Sequence, residues 1–271
     1  MPGFYRPASS SSTPSAGTLA APADRSWFKW VGAQATDTGT KRATLHVYDV
    51  IGADPFFGGV DVNEAVALIE ALDDVTELAV RINSPGGAAW DGLTLANAIM
   101  RHPGPTTTHV DGLAASAASL IALAGDEVVM SKYGQMMLHN ARAGVCGTAE
   151  ELVAAADTLT KLNGSMAAFY ADRAGGTVAD WSAVMARETW YTADEALDAG
   201  LATRLDDSGK RDQVEAAAHA SIAKAGALFR YRGRRAAPDP DDRTRRVVTV
   251  ARARRTRRAR RTPTTTTGAP S

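Results

Sequence analysis

A domain of the α/β class with a mainly parallel sheet is the fold this sequence predicts. Short β-branched and apolar runs alternate with segments of helical periodicity between about residues 44 and 205, the pattern of βαβ units. Capping residues open several of the helical segments, and Gly or Pro closes them. Hydrophobic residues make up 45% of the 271, enough to fill a core.

The elements follow in order. Thr44 to Val50 reads as a strand, and the chain breaks at Gly58-Gly59. Asp61 caps a helix from Val62 to about Leu72, with Val62, Ala65, Val66, Ile69 and Leu72 on one face. Glu77 to Asn83 is the next strand, leading into Asn83-Ser84-Pro85-Gly86-Gly87. A Pro-Gly-Gly turn after a strand lets backbone N–H groups approach a ligand with no Cβ in the way. A helix from about Asp91 to His102 ends at Pro103, and Thr106 to Val110 is a third strand. It feeds the stretch Gly112-Leu-Ala-Ala-Ser116-Ala-Ala-Ser119, where the chain turns into a helix. Glu127 to Ser131 and Gln135 to His139 are short strands around Lys132-Tyr133-Gly134. Thr148 and Glu151 form a capping box that opens a long helix to about Arg173, stopped by Gly175-Gly176. Thr177 to Met185 is a shorter helix. Thr192 and Glu195 form a second box for a helix to Ala199, stopped by Gly200, and Leu201 to Leu205 is a last strand.

Composition divides the chain further. Residues 1–40 begin Ser/Pro-rich and are expected to lack structure, 41–208 form the folded domain, and 209–271 hold an Ala-rich helix (Gln213 to Leu228) and a basic tail. The net charge of zero hides an asymmetry: from residue 230 onward there are 14 Arg and 3 Asp, leaving 16 basic and 27 acidic residues before it. Such a tail suits nucleic acid or an acidic protein surface, or simple solvation. One cysteine, Cys146, excludes an internal disulfide or a cysteine metal cluster. No long apolar run or leader is evident, so a cytoplasmic location without membrane contact is expected. No Gly-x-x-x-x-Gly-Lys-Ser/Thr loop appears, so ATP hydrolysis by this chain is not expected.

Chemistry centres on Ser116. Small neighbours leave room for another chain to lie against it, and a helix start supplies unpaired N–H groups beside it. The stretch alone also fits a packed Ala/Ser helix. A base would have to come from His46, His102, His109, His139 or His219. His139, at a strand end before a loop, leads, and His109, close to Ser116 in sequence, is the rival. For an orienting carboxylate, Glu188, Asp194 and Glu195 lie together; Glu195 serves the cap, which leaves Glu188 free.

Four motifs in order — Asn83-Ser-Pro-Gly-Gly87, Gly112-Leu-Ala-Ala-Ser116-Ala, Met137-Leu-His139 and Glu188-Thr-Trp-Tyr-Thr-Ala-Asp-Glu-Ala196 continuing through Gly200 — resemble the ClpP serine peptidase family over about residues 43 to 207. The match looks most like the ClpP-like proteases of phage head (prohead) maturation. The resemblance implies a ClpP/crotonase-like spiral of ββα units with a protruding handle, the helix from Thr148, and rings of subunits. It implies a triad of Ser116, His139 and Glu188, with Glu standing where the family usually has Asp. It implies an oxyanion hole from the N–H groups of Gly86 and Ala117, with Gly87 as the neighbouring candidate. The Pro85–Gly87 loop would lay a polypeptide substrate along its edge. Ser119 is read as packing. No cofactor or metal is implied. Partners implied are a polypeptide substrate, further copies of the chain, and either capsid or scaffold protein or a separate ATPase. Within the same fold a crotonase-type acyl-CoA enzyme is the competitor, argued against by the Ser116/His139 pair. A Ser/Lys dyad through Lys132 or Lys161, and an inactive capsid scaffold component, are the others.

Overall fold

The computed structural model describes residues 30–35, 41–52, 59–72, 75–208, 211–225 and 229–240. The Ser/Pro-rich start, the Gly58 break, the Arg-rich run and the Thr/Pro end lie outside the described residues.

The elements are β1 (Trp30–Ala35), β2 (Lys41–Val47), α1 (Val62–Glu70), β3 (Glu77–Ser84), α2 (Ala89–Arg101), β4 (Thr106–Ala115), α3 (Ala117–Ala124), β5 (Glu127–Ser131) and β6 (Gln135–Leu138). They continue with α4 (Ala149–Ala174), α5 (Val178–Ala186), β7 (Thr189–Thr192), α6 (Ala193–Asp198), β8 (Arg204–Asp206) and α7 (Arg211–Ala225), then a 3-10 turn at Arg234–Ala236. The sheet runs β1-β2-β3-β4-β5-β8. The pairs from β2 to β8 along this path are parallel, and β1 is antiparallel to β2. The α/β class and the mostly parallel sheet are as the sequence predicts.

Strand β2 shows why the layers form. Ala43, Leu45 and Val47 alternate inward, and Arg42, Thr44 and His46 take the other face. Helix α1 is capped by Asp61, whose carboxylate accepts from the N–H groups of Asn63 and Glu64, and it buries Val62, Ala65 and Ile69. Helix α3 is buried along its whole length, with Leu120, Ile121 and Leu123 at its centre. Each such side chain contributes about 1.5–3 kcal/mol of burial.

Strand β4 places the site. It extends five residues beyond the expected Val110, to Ala115. Its first half, Thr107 to Val110, pairs with β5, and its second half, Leu113 to Ala115, pairs with β6. One strand therefore serves two partners, and β6 leads away to pair antiparallel with β7. Two elements were not expected. Strand β7 is only Thr189-Trp-Tyr-Thr192 and abuts the α6 cap, so its β-rich residues read as part of a helix entry. Strand β1 falls inside the stretch 1–40 expected to lack structure; pairing with β2, rather than its own pattern, makes it a strand.

Asn83 ties the layers together. Its Oδ1 accepts the Leu113 N–H at 3.1 Å, and its backbone oxygen accepts from Ser221 Oγ of α7 at 3.2 Å. Helix α7 thus lies against β3 and β4 beside the second half of β4, where Leu113, Ala115, Met137, Trp190, Ala218 and Ile222 form a small core of their own.

Candidate active site

Ser116 sits between the end of β4 and the first turn of α3, with φ 54° and ψ −126°. Among the described residues, Ser116 and Glu188 are the non-glycine positions with positive φ. Both were singled out from sequence as site residues. Such a conformation costs about 1–3 kcal/mol and persists where surrounding structure enforces it. Here the Ser116 N–H donates to Met137 O at 2.8 Å, and Ser116 O accepts from the Ser119 N–H and from Ser119 Oγ. Ser119 Oγ also meets Tyr170 Oη at 2.7 Å, which makes Ser119 a buried tether of the helix start.

His139 follows β6 directly. Because Ala115 pairs with Met137 in parallel register, the residues just beyond the two strand ends are brought side by side. His139 Nε2 lies 2.7 Å from Ser116 Oγ, the distance of a nucleophile–base pair. The ring is 7% exposed, and burial, followed by the Arg142 charge, pulls its pKa down to about 4 against a raising influence from Glu188. The neutral, proton-accepting imidazole is the favoured form.

The other histidines stand elsewhere. His109, the rival, lies on β4 in the stretch paired with β5 and lines a cavity of about 240 Å³ with Arg42, Glu77 and Arg204. His46 packs edge-on to Tyr48, His102 contacts Gly104 at the end of α2, and His219 is exposed on α7. Lys132 pairs with Asp207, and Lys161 is exposed on α4. Among the described residues, the Ser116 hydroxyl is met by His139 and by neither lysine.

Glu188 is buried at 2% exposure, yet its carboxylate does not meet His139. Its Oε2 accepts from Arg142 Nη2 and from the Arg230 N–H, both at 2.8 Å. Its Oε1 accepts from the Tyr231 N–H at 2.9 Å and Trp190 Nε1 at 3.4 Å. His139 Nδ1 is buried without a hydrogen-bond partner. The serine–histidine pair is therefore assembled, and the third contact expected from sequence is not made. Sequence reasoning missed both Arg142 and the 229–240 stretch as neighbours of Glu188; nothing local in either marks it as such. Glu195, as expected, serves the α6 cap, and it also receives Arg234. Asp194 is exposed.

The Pro85-Gly86-Gly87 loop approaches Ser116 from β3. Gly86 has φ 91°, and a Cβ there would lie 2.7 Å from Ser116 Cβ and 2.5 Å from Ala115 O, so only glycine fits. The Gly86 N–H, expected to serve an oxyanion, donates instead to Ser84 Oγ at 3.1 Å. Ala117 opens α3, where N–H groups have no intrahelical acceptor.

A strained serine on a strand-to-helix turn, a strand-end histidine and a glycine loop form the arrangement a serine hydrolase would use on an α/β scaffold. The match to known proteins makes the class specific. The family model described as Clp protease matches residues 60–208, and the chain belongs to that family. It is a serine-type endopeptidase of the ClpP-like kind. Among curated proteins it is similar to the ATP-dependent Clp protease proteolytic subunit 3 of Rhodococcus jostii (strain RHA1), 28% identical over 145 residues, covering 53% of this chain and 72% of the relative. It is 30% identical over 138 residues to subunit 2 of Corynebacterium glutamicum, covering 50% and 69%. It is 29% identical over 147 residues to subunit 1 of Corynebacterium jeikeium, covering 54% and 78%. No helix among the described residues is long and apolar enough to cross a membrane.

Proposed function

We propose that Ser116 is the nucleophile of peptide-bond hydrolysis, His139 its general base and Glu188 the acid that orients His139 when the site is complete. The 2.7 Å contact between His139 Nε2 and Ser116 Oγ carries this reading. Ser116 Oγ attacks the peptide carbonyl as His139 takes its proton. The protonated imidazole then gives that proton to the leaving amine, and water releases the acyl-enzyme by the same route. The Ala117 N–H supports the tetrahedral oxyanion from the start of α3, where the helix dipole adds to it. Because the Gly86 N–H is directed at Ser84 Oγ, the second donor is Gly87. The substrate strand lies along the Pro85–Gly87 loop, held by backbone bonds.

A fluorophosphonate probe tests the core of this reading. It labels Ser116 in the native protein, and Ser116→Ala and His139→Ala lose labelling and peptide cleavage by about 10³-fold or more. A folded sample with neither labelling nor cleavage sinks the protease reading in favour of an inactive scaffold.

For the setting, we propose capsid maturation in a phage, with rings of this chain joined through α4 and capsid or scaffold protein as substrate, in the host cytoplasm. Support comes from the Ser/Pro-rich residues before the family match and the 14 Arg after residue 229, which are poor matches to a housekeeping subunit. The basic run would contact an acidic capsid surface or nucleic acid. A second reading is favoured by the relatives' names, proteolytic subunits of ATP-dependent proteases: a subunit that receives substrate from a separate ATPase. Intact mass on incubation separates the two. Trimming of the flanks supports maturation, and an unchanged mass with ATPase-dependent digestion of a folded substrate supports the second.

A further inference from the structure

Nδ1 of His139 is buried and unpaired, whereas buried polar side-chain atoms are ordinarily satisfied. The carboxylate with the right chemistry, Glu188, stands in the same buried neighbourhood with its oxygens already engaged. Two of its four donors are successive backbone N–H groups, those of Arg230 and Tyr231. Bonds from N–H to an ionised carboxylate are of the stronger, charge-assisted kind.

Those two residues belong to a stretch that lies beyond the family match at 60–208. The same stretch sets the Phe229 ring edge-on to His139, centroids 5.9 Å apart, and to Trp190 at 5.6 Å. Its far end is anchored. Arg234 Nε and Nη2 each reach a different Glu195 oxygen at 2.6 Å, and the Arg234 N–H donates to Gln135 Oε1 at 2.8 Å. The Arg234 side chain is 13% exposed and that of Glu195 17%, so the pair is largely sheltered from solvent screening. Tyr231 and, beyond the anchor, Ala237 pack on the small core of Leu113, Met137 and Trp190.

We propose that residues 229–240 form an intramolecular latch that withholds Glu188 from His139 and keeps the site in a low-activity state, and that displacing the latch completes the triad. The inference rests on Ser116 and His139 being nucleophile and base. The latch acts on the orienting acid and leaves the Ser116–His139 contact intact. Loss of the orienting carboxylate's role lowers turnover about 10⁴-fold in a serine protease triad, which gives such a device ample range.

The test uses the full chain with three sets of changes. Arg230→Pro with Tyr231→Pro deletes both backbone donors to Glu188, Phe229→Ala removes the ring from His139, and Arg234→Ala releases the anchor. The readout is the rate of fluorophosphonate labelling at Ser116, with circular dichroism to confirm native structure. At least one set, and the proline pair most strongly, is expected to label at least about tenfold faster than the unchanged chain, since restoring an orienting contact is worth orders of magnitude. Glu188→Gln added to the fast variant is expected to remove the gain. Folded variants that all label at the unchanged rate overturn the latch while leaving the protease reading in place. So does a gain that survives Glu188→Gln. Absence of Ser116 labelling in every chain overturns both.

Discussion

At the scale of single residues, the site is governed by where backbone strain and buried charge are tolerated. Ser116 and Glu188 hold left-handed φ values without being glycine, and both are pinned by neighbours: Ser116 by Met137 O and Ser119, Glu188 by its four donors. Gly86→Ala is expected to abolish Ser116 labelling, because a Cβ 2.5 Å from Ala115 O must push the loop away from Ser116; a labelling assay on the folded variant checks it. His139 makes stability depend on pH. Its pKa is depressed by burial to about 4, below the ordinary value of about 6.5, so the unfolded chain binds the extra proton first. The contribution is fully present above pH ~6.5 and is lost progressively between ~6.5 and 4, to the extent of roughly 3 kcal/mol. Urea unfolding from pH 7 to pH 4 is expected to show this slope, reduced in His139→Asn; equal slopes in the two proteins would exclude His139 as its source. Arg142 and Glu188 are the charged groups acting on the ring, and engaging Glu188 directly with Nδ1 would move the acid limb of labelling upward.

At the scale of elements, the oxyanion role proposed for the α3 N-terminus requires the other end of that helix to be held. Arg173 of α4 does this from a buried position, donating to Leu123 O at 2.7 Å, Ala124 O at 3.3 Å and Gly125 O at 2.6 Å. Arg173→Ala leaves three carbonyls at the end of a buried helix and is expected to cost about 2–4 kcal/mol, read as a lower midpoint in chemical denaturation. Thr148→Ala, at the exposed capping box of α4, is expected to cost about 1 kcal/mol or less and to leave the labelling rate at Ser116 unchanged. The capping boxes at Thr148 and Thr192 were legible because they need only four consecutive residues. A third, at Thr177 and Asp180, uses Asp where Glu is the usual signal and was not recognised. The division of β4 between two partners was not legible, since its residues read equally well as strand end or helix start until β6 claims them.

At the scale of the whole molecule, half of α4 projects from the body. Leu152 is 45% exposed and Val153 62%, unlike Met166, Ala167 and Tyr170 of the same helix, which are buried. Apolar side chains left uncovered on a projecting helix suit contact with another subunit. Light scattering is expected to give a mass of several subunits, and Leu152→Glu with Val153→Glu to lower it; a stable monomer in the unchanged protein would remove the ring from the proposal.

The pairing of Ser116 with His139 and the approach of the glycine loop were readable from the chain alone, because each lies in a short motif whose local chemistry — small collar, strand end, Pro-Gly-Gly turn — is intrinsic to neighbouring residues. Most of the strands and helices around them were readable for the same reason, from periodicity and caps; the second half of β4 was not, since its strand character depends on β6. Only the tertiary structure decided what Glu188 does. Apart from Trp190, two positions on, its partners come from Arg142, 46 positions before it, and from the Arg230 and Tyr231 backbone, 42 and 43 after it. A carboxylate turns to whichever donors the fold brings within reach, and no local pattern records which those will be.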